Sequence, residues 1–134
     1  MSTFDSLTEL SSEVAIAADL CLKPWKHSVL TNENTSHQGI IDNDFFELSL
    51  RIESRDSDGQ RYPENDLEIE IFRSGSELNI TLAWNEFPLR PILWQGKHSL
   101  WMDGSTGQRS SPPEGGEKLE AFARRIRSRF SSLY

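Results

Sequence analysis

The segment FFELSLRIE, residues 45–53, alternates apolar and polar side chains with a period of two. The segments LEIEIF (67–72) and ELNITLAW (77–84) repeat the pattern, and the short RSGS (73–76) between them is typical of a tight turn. Successive side chains of a β-strand point to opposite faces, so each segment presents one apolar and one polar face. Clean alternation of this kind predicts an antiparallel sheet that is covered on one side only.

The chain on either side of these strands predicts two helices. Residues 3–23 carry apolar side chains three and four positions apart, which form one helical stripe: Phe4, Leu7, Leu10, Val14, Ala17 and Cys21, widened by Ile16 and Leu20. Pro24 ends this helix because it lacks an amide hydrogen and disfavours helical backbone at Lys23. Residues 116–131 carry a second stripe, made of Leu119, Phe122, Ala123, Ile126 and Phe130.

The remaining segments connect these elements. VLTNE (29–33) is compatible with a short edge strand, and ILW (92–94) and SLWM (99–102) flank Gln95–Lys97 as in a hairpin. Residues 103–115 are dense in turn-forming residues and are predicted to be a loop. Residues 1–134 therefore predict a single α+β domain with its main strands within 45–102. We expect a two-layer sandwich, in which an antiparallel meander of about five strands carries both helices on one face.

This order of elements resembles the frataxin-type α/β sandwich, which also has an N-terminal helix, a meander rich in tryptophan and a C-terminal helix. The resemblance covers most of the chain as layout. The acidic ridge of that family would have to be supplied here by Asp5, Glu9, Glu13 and Asp19. Four acids so widely spaced do not form the motif, so the resemblance implies the layout and not an iron-handling role.

Charge restricts the class of partner. The 134 residues carry a formal net charge of −7, which disfavours a general nucleic-acid binder. The charge is uneven, at −10 over residues 1–70 and +3 over residues 71–134, and halves of opposite charge leave a homodimer open. The single cysteine, Cys21, is expected to be a small buried residue that forms no internal disulfide. The sequence shows neither a secretion signal nor an apolar run long enough to span a membrane, so we expect a cytoplasmic protein that does not bind membranes.

The sequence contains no motif that carries a known chemistry. The three histidines and one cysteine lack metal-ligand spacing, and no nucleophile elbow, phosphate loop or dinucleotide fingerprint occurs. The segment DSDG at Asp56–Gly59 resembles the start of a calcium loop, but Arg61 and Leu67 occupy the positions that require Gly and Glu. We therefore predict a protein that is not an enzyme and that has neither a metal site nor a cofactor.

The most unusual stretch is WQGKHSLWMDGSTGQR, residues 94–109. If Leu100 and Met102 face the core, strand alternation places Trp101 on the open face of the sheet, near Glu68 and Glu70. The partner strand then leaves either Leu93 or Trp94 facing outwards. The alternative is that the edge of the sheet, bent by Pro88 and Pro91, folds over and buries both Trp94 and Trp101.

These observations predict a protein-interaction module, such as an adaptor, an inhibitor or an assembly factor, that binds another protein through the open sheet face. An exposed tryptophan beside acids is typical of such a surface. The predicted contact residues are Trp101, Trp94, Lys97, Glu68 and Glu70.

Two alternatives use other residues. Lys118, Arg125 and Arg129 line one flank of the last helix with no acid among them, which is compatible with weak binding of nucleic acid or another polyanion. The other alternative is a small enzyme or metal-handling protein that uses His98, Asp103 and the adjacent loop.

Overall fold

The structure, a computed structural model, describes residues 7–31, 45–87 and 89–131. In chain order, the helices and strands are α1 (Leu7–Cys21), β1 (Lys26–Thr31), β2 (Phe45–Arg55), β3 (Leu67–Ser74), β4 (Glu77–Trp84), β5 (Ile92–Gln95), β6 (Ser99–Met102) and α2 (Gly116–Ser131). Within the described ranges, the strands form one six-stranded sheet in which each strand pairs antiparallel with the next along the chain. The predicted α+β class is confirmed: an antiparallel meander with one helix before it and one after it packed against the sheet.

Strand alternation gives the sheet an inner face, which the helices cover, and an outer face. The inner positions of β2, β3 and β4 are buried apolar residues: Leu48, Leu50, Ile52, Leu67, Ile69, Ile71, Leu78, Ile80 and Leu82. These residues are aligned across the sheet, since Leu50 lies opposite Ile69 and Ile69 lies opposite Leu82. The inner face is therefore a continuous apolar surface, as the period-two pattern predicts.

Both helices pack on this inner face through their apolar stripes. The buried helical residues belong to the same core as the strands: Leu10, Val14, Ala17 and Ala18 from α1, and Leu119, Phe122, Ala123 and Ile126 from α2. Burying one large apolar side chain contributes about 1.5–3 kcal/mol, so this shared core is the main source of stability. The bounds of α2 agree with the predicted residues 116–131.

Helix α1 differs from the prediction on its flank and at its end. Ile16 and Leu20 are 55% and 46% exposed, so they do not widen the buried stripe. Ala17 and Ala18 lie against the sheet, and steps of about 100° per residue carry Ile16 to the far side of the helix. The helix ends at Cys21, which is half buried and packs against the core. Residues 1–6, with Phe4, and Leu133 lie outside the described residues, as do the side chains of Leu7, Phe46 and Phe130.

One buried carboxylate, that of Asp66, fixes the entry into β3. It accepts two hydrogen bonds from the Arg61 guanidinium, at 2.8 and 2.7 Å, and one from the backbone N–H of Ser54 at 2.8 Å. Burial is the largest influence on the Asp66 carboxyl and raises its pKa, but the hydrogen bonds from Arg61, Ser54 and Arg51 and the charge of Arg61 together outweigh it. The pKa of Asp66 therefore lies below its usual value. This ion pair joins the β2–β3 connection to the sheet.

Candidate interaction surface

The position of Trp101 overturns part of the sequence prediction. Trp101 lies opposite Leu93 on the inner face and is only 4% exposed, so the prediction that it lies on the open face is wrong. Its indole N–H donates to Oε2 of Glu120 in α2 at 2.8 Å. Its ring also lies close to Gly116, where an added Cβ would be 3.1 Å from Cζ2. Trp101 thus faces the first turns of α2, which supply both an acceptor for the N–H and a cover for the ring.

Because Trp101 faces inwards, its neighbours in β6 face outwards and place other apolar residues on the outer face. Leu100 and Met102, expected in the core, lie on the outer face, where they pair with Trp94 and Ile92 of β5. We call these four half-buried residues, Ile92, Trp94, Leu100 and Met102, the outer apolar cluster. Trp94 faces outwards, which is one of the two orientations that the sequence left open. Its ring lies against Gly96, where an added Cβ would be 2.4 Å from Cη2, so any side chain at that position would force the ring to move.

Three carboxylates occupy the other half of the outer face. Glu47 on β2 and Glu68 and Glu70 on β3 have the polar alternation that the sequence predicts, and we call them the outer acidic cluster. Partial burial is the first cause that raises the pKa of Glu70 above its usual value, followed by the charges of Glu68 and Glu47. The cluster is therefore a concentration of like charge on the outer face.

The strand register joins the two clusters into one surface. Glu70 lies opposite Thr81, Thr81 lies opposite Trp94, and Trp94 lies opposite Leu100. At about 4.8 Å between neighbouring strands, the backbones of Glu70 and Trp94 are roughly 10 Å apart. Each residue of this row is at least partly exposed, and both described helices pack on the opposite, inner face. The structure thus brings together Trp94, Glu68 and Glu70 of the predicted contact residues.

Lys97 and His98 lie at the end of this surface, in the hairpin between β5 and β6. Both are exposed, so His98 is not a residue of the core edge. With Arg109 and Arg127 they line a surface cavity of about 750 Å³. Arg127 crosses to this end of the sheet from α2 and donates to the backbone carbonyl of Leu78. Lys97 therefore belongs to a basic edge beside the outer apolar cluster.

The alternative site that combines His98 with Asp103 is not assembled. His98 precedes β6 and Asp103 follows it, so the whole strand separates the two residues. The Asp103 carboxylate accepts hydrogen bonds from the hydroxyl and backbone N–H of Ser105 and from the N–H of Thr106, and these bonds lower the pKa of Asp103. Asp103 therefore stabilises its own turn.

The predicted basic flank of α2 is reduced in the structure. Arg129 donates to Glu13 of α1 at 3.0 Å, so its charge is paired with an acid of the other helix. Lys118 and Arg125 are exposed. On the other flank, Arg124 forms the i,i+4 ion pair with Glu120 that the sequence indicates, at 3.8 Å.

Sequence reasoning missed Ile92, Leu100 and Met102 as members of the outer face. The available signal was that SLWM carries large apolar residues on both faces, with Leu100 and Met102 on one and Trp101 on the other. This pattern is typical of a strand with apolar surroundings on both sides.

Within the described ranges, no three His, Cys, Asp or Glu side chains are grouped so that they could hold a metal ion. Of the four acids considered for an acidic ridge, Glu13 pairs with Arg129 and Asp19 bonds to His27.

The family of the chain follows from comparison with known protein families. The family model of DUF8659, a domain of unknown function, matches residues 11–129. The chain belongs to this family. The matched range runs from the second turn of α1 into the last turn of α2, so the DUF8659 region includes the described sheet and most of both helices. No curated protein and no solved structure gives a significant match. In the described part of the DUF8659 chain, no helix combines the length and the apolar character needed to cross a membrane.

Proposed function

We propose that the DUF8659 chain is a non-catalytic protein-interaction module and that its partner binds the outer face of the sheet. The observation that carries the proposal is the row from Glu70 through Thr81 and Trp94 to Leu100. In this row a carboxylate and an indole lie on the partly exposed face of the sheet, opposite the two described helices. The proposal places the chain in the cytoplasm, in keeping with a single cysteine that forms no internal disulfide.

The chemistry of the surface defines the partner. Binding energy in protein interfaces is concentrated in a few aromatic and apolar anchors, and Trp94 with Leu100 and Met102 supplies such an anchor. The outer acidic cluster favours lysine or arginine on the partner. Partial burial, followed by the charges of Glu68 and Glu47, raises the pKa of Glu70, and a cation placed there offsets those charges. The partner we expect therefore presents an apolar side chain next to basic residues.

Affinity capture from native cell extract tests the proposal with variants on both sides of the molecule. Trp94→Ala removes the anchor, and Glu70→Lys reverses one charge of the acidic cluster. Arg125→Glu is the matched control, since it reverses an exposed charge on α2, away from the outer face. We expect wild type and Arg125→Glu to capture the same partner, and both outer-face variants to lose it.

The captured partner then allows a quantitative test. With purified components we expect Trp94→Ala to weaken binding at least tenfold, which corresponds to about 1.4 kcal/mol. Gly96→Ala sharpens the test, because the added methyl group contacts the Trp94 ring and forces it to move. Equal binding by wild type and Trp94→Ala contradicts the proposal, and loss of binding by Arg125→Glu alone points to the basic helix instead.

A further inference from the structure

His27 forms a buried polar site on the inner side of the sheet edge. Its ring Nδ1 lies 2.9 Å from Oδ1 of Asp19, and the same oxygen accepts the backbone N–H of His27 at 2.9 Å. An ionised carboxylate only accepts hydrogen bonds, so Nδ1 carries the ring hydrogen. In the neutral ring, Nε2 is then the nitrogen that accepts a hydrogen bond.

This acceptor nitrogen has no hydrogen-bond partner within the described part of the chain. The His27 side chain is 1% exposed and lines a surface cavity of about 250 Å³. Among the residues that the structure describes, none makes a hydrogen bond with Nε2. Nε2 is not one of the fully buried unpaired atoms of the described residues, so it can be reached from the cavity, where an occupant can donate a hydrogen bond to it.

The walls of the cavity define the shape of the occupant. Trp25 and Trp84 line it together with Leu67 and Leu119, and Trp25 is supported by the Tyr62 ring at a centroid distance of 4.9 Å. The volume is somewhat below the ~300–1,000 Å³ of sites for drug-sized ligands, which favours a molecule of about one ring. The lining also includes the exposed residues Lys23, Glu114 and Lys118. The walls are thus suited to a small aromatic compound that also carries a polar group.

Ser54 leaves His27 available for such a compound. Ser54 lies directly opposite His27 in the β1–β2 pair and lines the same cavity. Its hydroxyl donates to the backbone carbonyl of Asn65 at 3.2 Å, so its hydrogen is not directed to Nε2. The donor for Nε2 must therefore come from the occupant.

We propose that the cavity binds a single-ring compound that bears a hydroxyl group, whose O–H donates to Nε2 of His27 while the ring contacts the indole walls. The site is independent of the proposed function, because it lies on the inner side of the sheet. Sites for small molecules commonly combine apolar and aromatic walls with a few polar groups that orient the ligand, and this cavity offers both.

NMR on the intact protein tests the proposal in two steps. The ¹⁵N chemical shifts of the neutral His27 ring are expected to show a protonated Nδ1 and an unprotonated Nε2. Titration with phenol and with toluene then compares two probes of nearly equal size, of which only phenol carries a hydroxyl group. We expect phenol to bind at least tenfold more tightly than toluene and to shift the Nε2 resonance.

Two variants assign the preference to His27. His27→Phe retains an aromatic ring and removes the acceptor, so we expect phenol and toluene to bind it equally. His98→Phe is the matched control in the exposed β5–β6 hairpin, and it is expected to retain the wild-type preference. The comparison of the two probes on wild type needs no variant and holds even if His27→Phe does not fold. A protonated Nε2 in wild type, equal affinity for phenol and toluene, or no saturable binding of phenol overturns the proposal.

Discussion

Trp101 and Trp94 lie on neighbouring strands and face opposite ways. Trp101 pairs with Leu93 on the inner face and is buried, whereas Trp94 pairs with Leu100 on the outer face and is half buried. Glu120 accepts the indole N–H of Trp101, and α2 begins directly over its ring. Trp94 instead lies against the backbone of its own hairpin at Gly96.

The difference shows that the sheet separates stability from recognition. On the inner face, large apolar side chains and a paired carboxylate join the two layers of the sandwich. On the outer face, the same residue types have no partner layer among the described residues. Substitutions on the inner face should therefore alter folding, and substitutions on the outer face should alter binding.

The largest expected effect comes from truncating the two tryptophans in turn. Trp101→Ala leaves a cavity between β6 and α2, and we expect it to lower the free energy of unfolding by about 3–5 kcal/mol. Trp94→Ala removes a half-buried ring from an uncovered face, and we expect a loss of about 1 kcal/mol. Denaturant unfolding followed by circular dichroism measures both values. Equal losses for the two variants contradict the separation of the two faces.

The elements with one consistent hydrophobic pattern could be predicted from the sequence. In β2, β3 and β4, polar residues alternate with apolar ones, so only one arrangement buries the apolar set. The stripe of α2 is similarly unambiguous, because arginines and glutamates occupy the positions between Leu119, Phe122 and Ile126. Glu68 and Glu70 were therefore assigned correctly to the outer face.

The orientation of β6 could not be predicted, because its alternation gives two apolar sets. One set contains Leu100 and Met102 and the other contains Trp101, so local pattern does not decide which is buried. The decision depends on Glu120, which lies 19 residues further along the chain. The Glu13–Arg129 pair joins residues 116 positions apart. The local sequence around α2 therefore could not predict that Arg129 has an acidic partner.

A smaller loss of unfolding free energy is expected when the Glu120 carboxylate, which accepts the indole N–H of Trp101, is removed. Glu120→Leu removes the acceptor and leaves the buried indole N–H without a partner, which should cost about 1–3 kcal/mol. Glu120→Gln retains an acceptor and should cost less. A double-mutant cycle of Glu120→Leu with Trp101→Phe, measured by denaturant unfolding, isolates the hydrogen bond. Arg124→Gln is the control, since it removes only the exposed ion pair to Glu120, worth about 0.5 kcal/mol or less. A coupling energy near zero contradicts the role given to Glu120.

The smallest expected effect has the opposite sign and lies on the outer face. Glu70→Gln removes one of three neighbouring negative charges, so we expect it to stabilise the protein by a few tenths of a kcal/mol at neutral pH. Thermal unfolding at pH 7 measures the change, and it should shrink in 0.5 M NaCl because salt screens exposed charges. Glu64→Gln, at an exposed position outside the cluster, is the matched control.

The pH dependence of the same variant gives the sharpest comparison of the two faces. The pKa of Glu70 is raised in the native state, first by partial burial and then by Glu68 and Glu47, so the native protein retains this proton to a higher pH than the unfolded chain does. The contribution of Glu70 to stability is therefore greatest below the unfolded value of 4.5 and is lost as the pH rises through the native value. The advantage of Glu70→Gln should accordingly appear at neutral pH and vanish below pH ~4.5. If Glu70→Gln instead destabilises the protein at pH 7, the carboxylate has a stabilising partner, and the outer acidic cluster is not a surface of unrelieved charge.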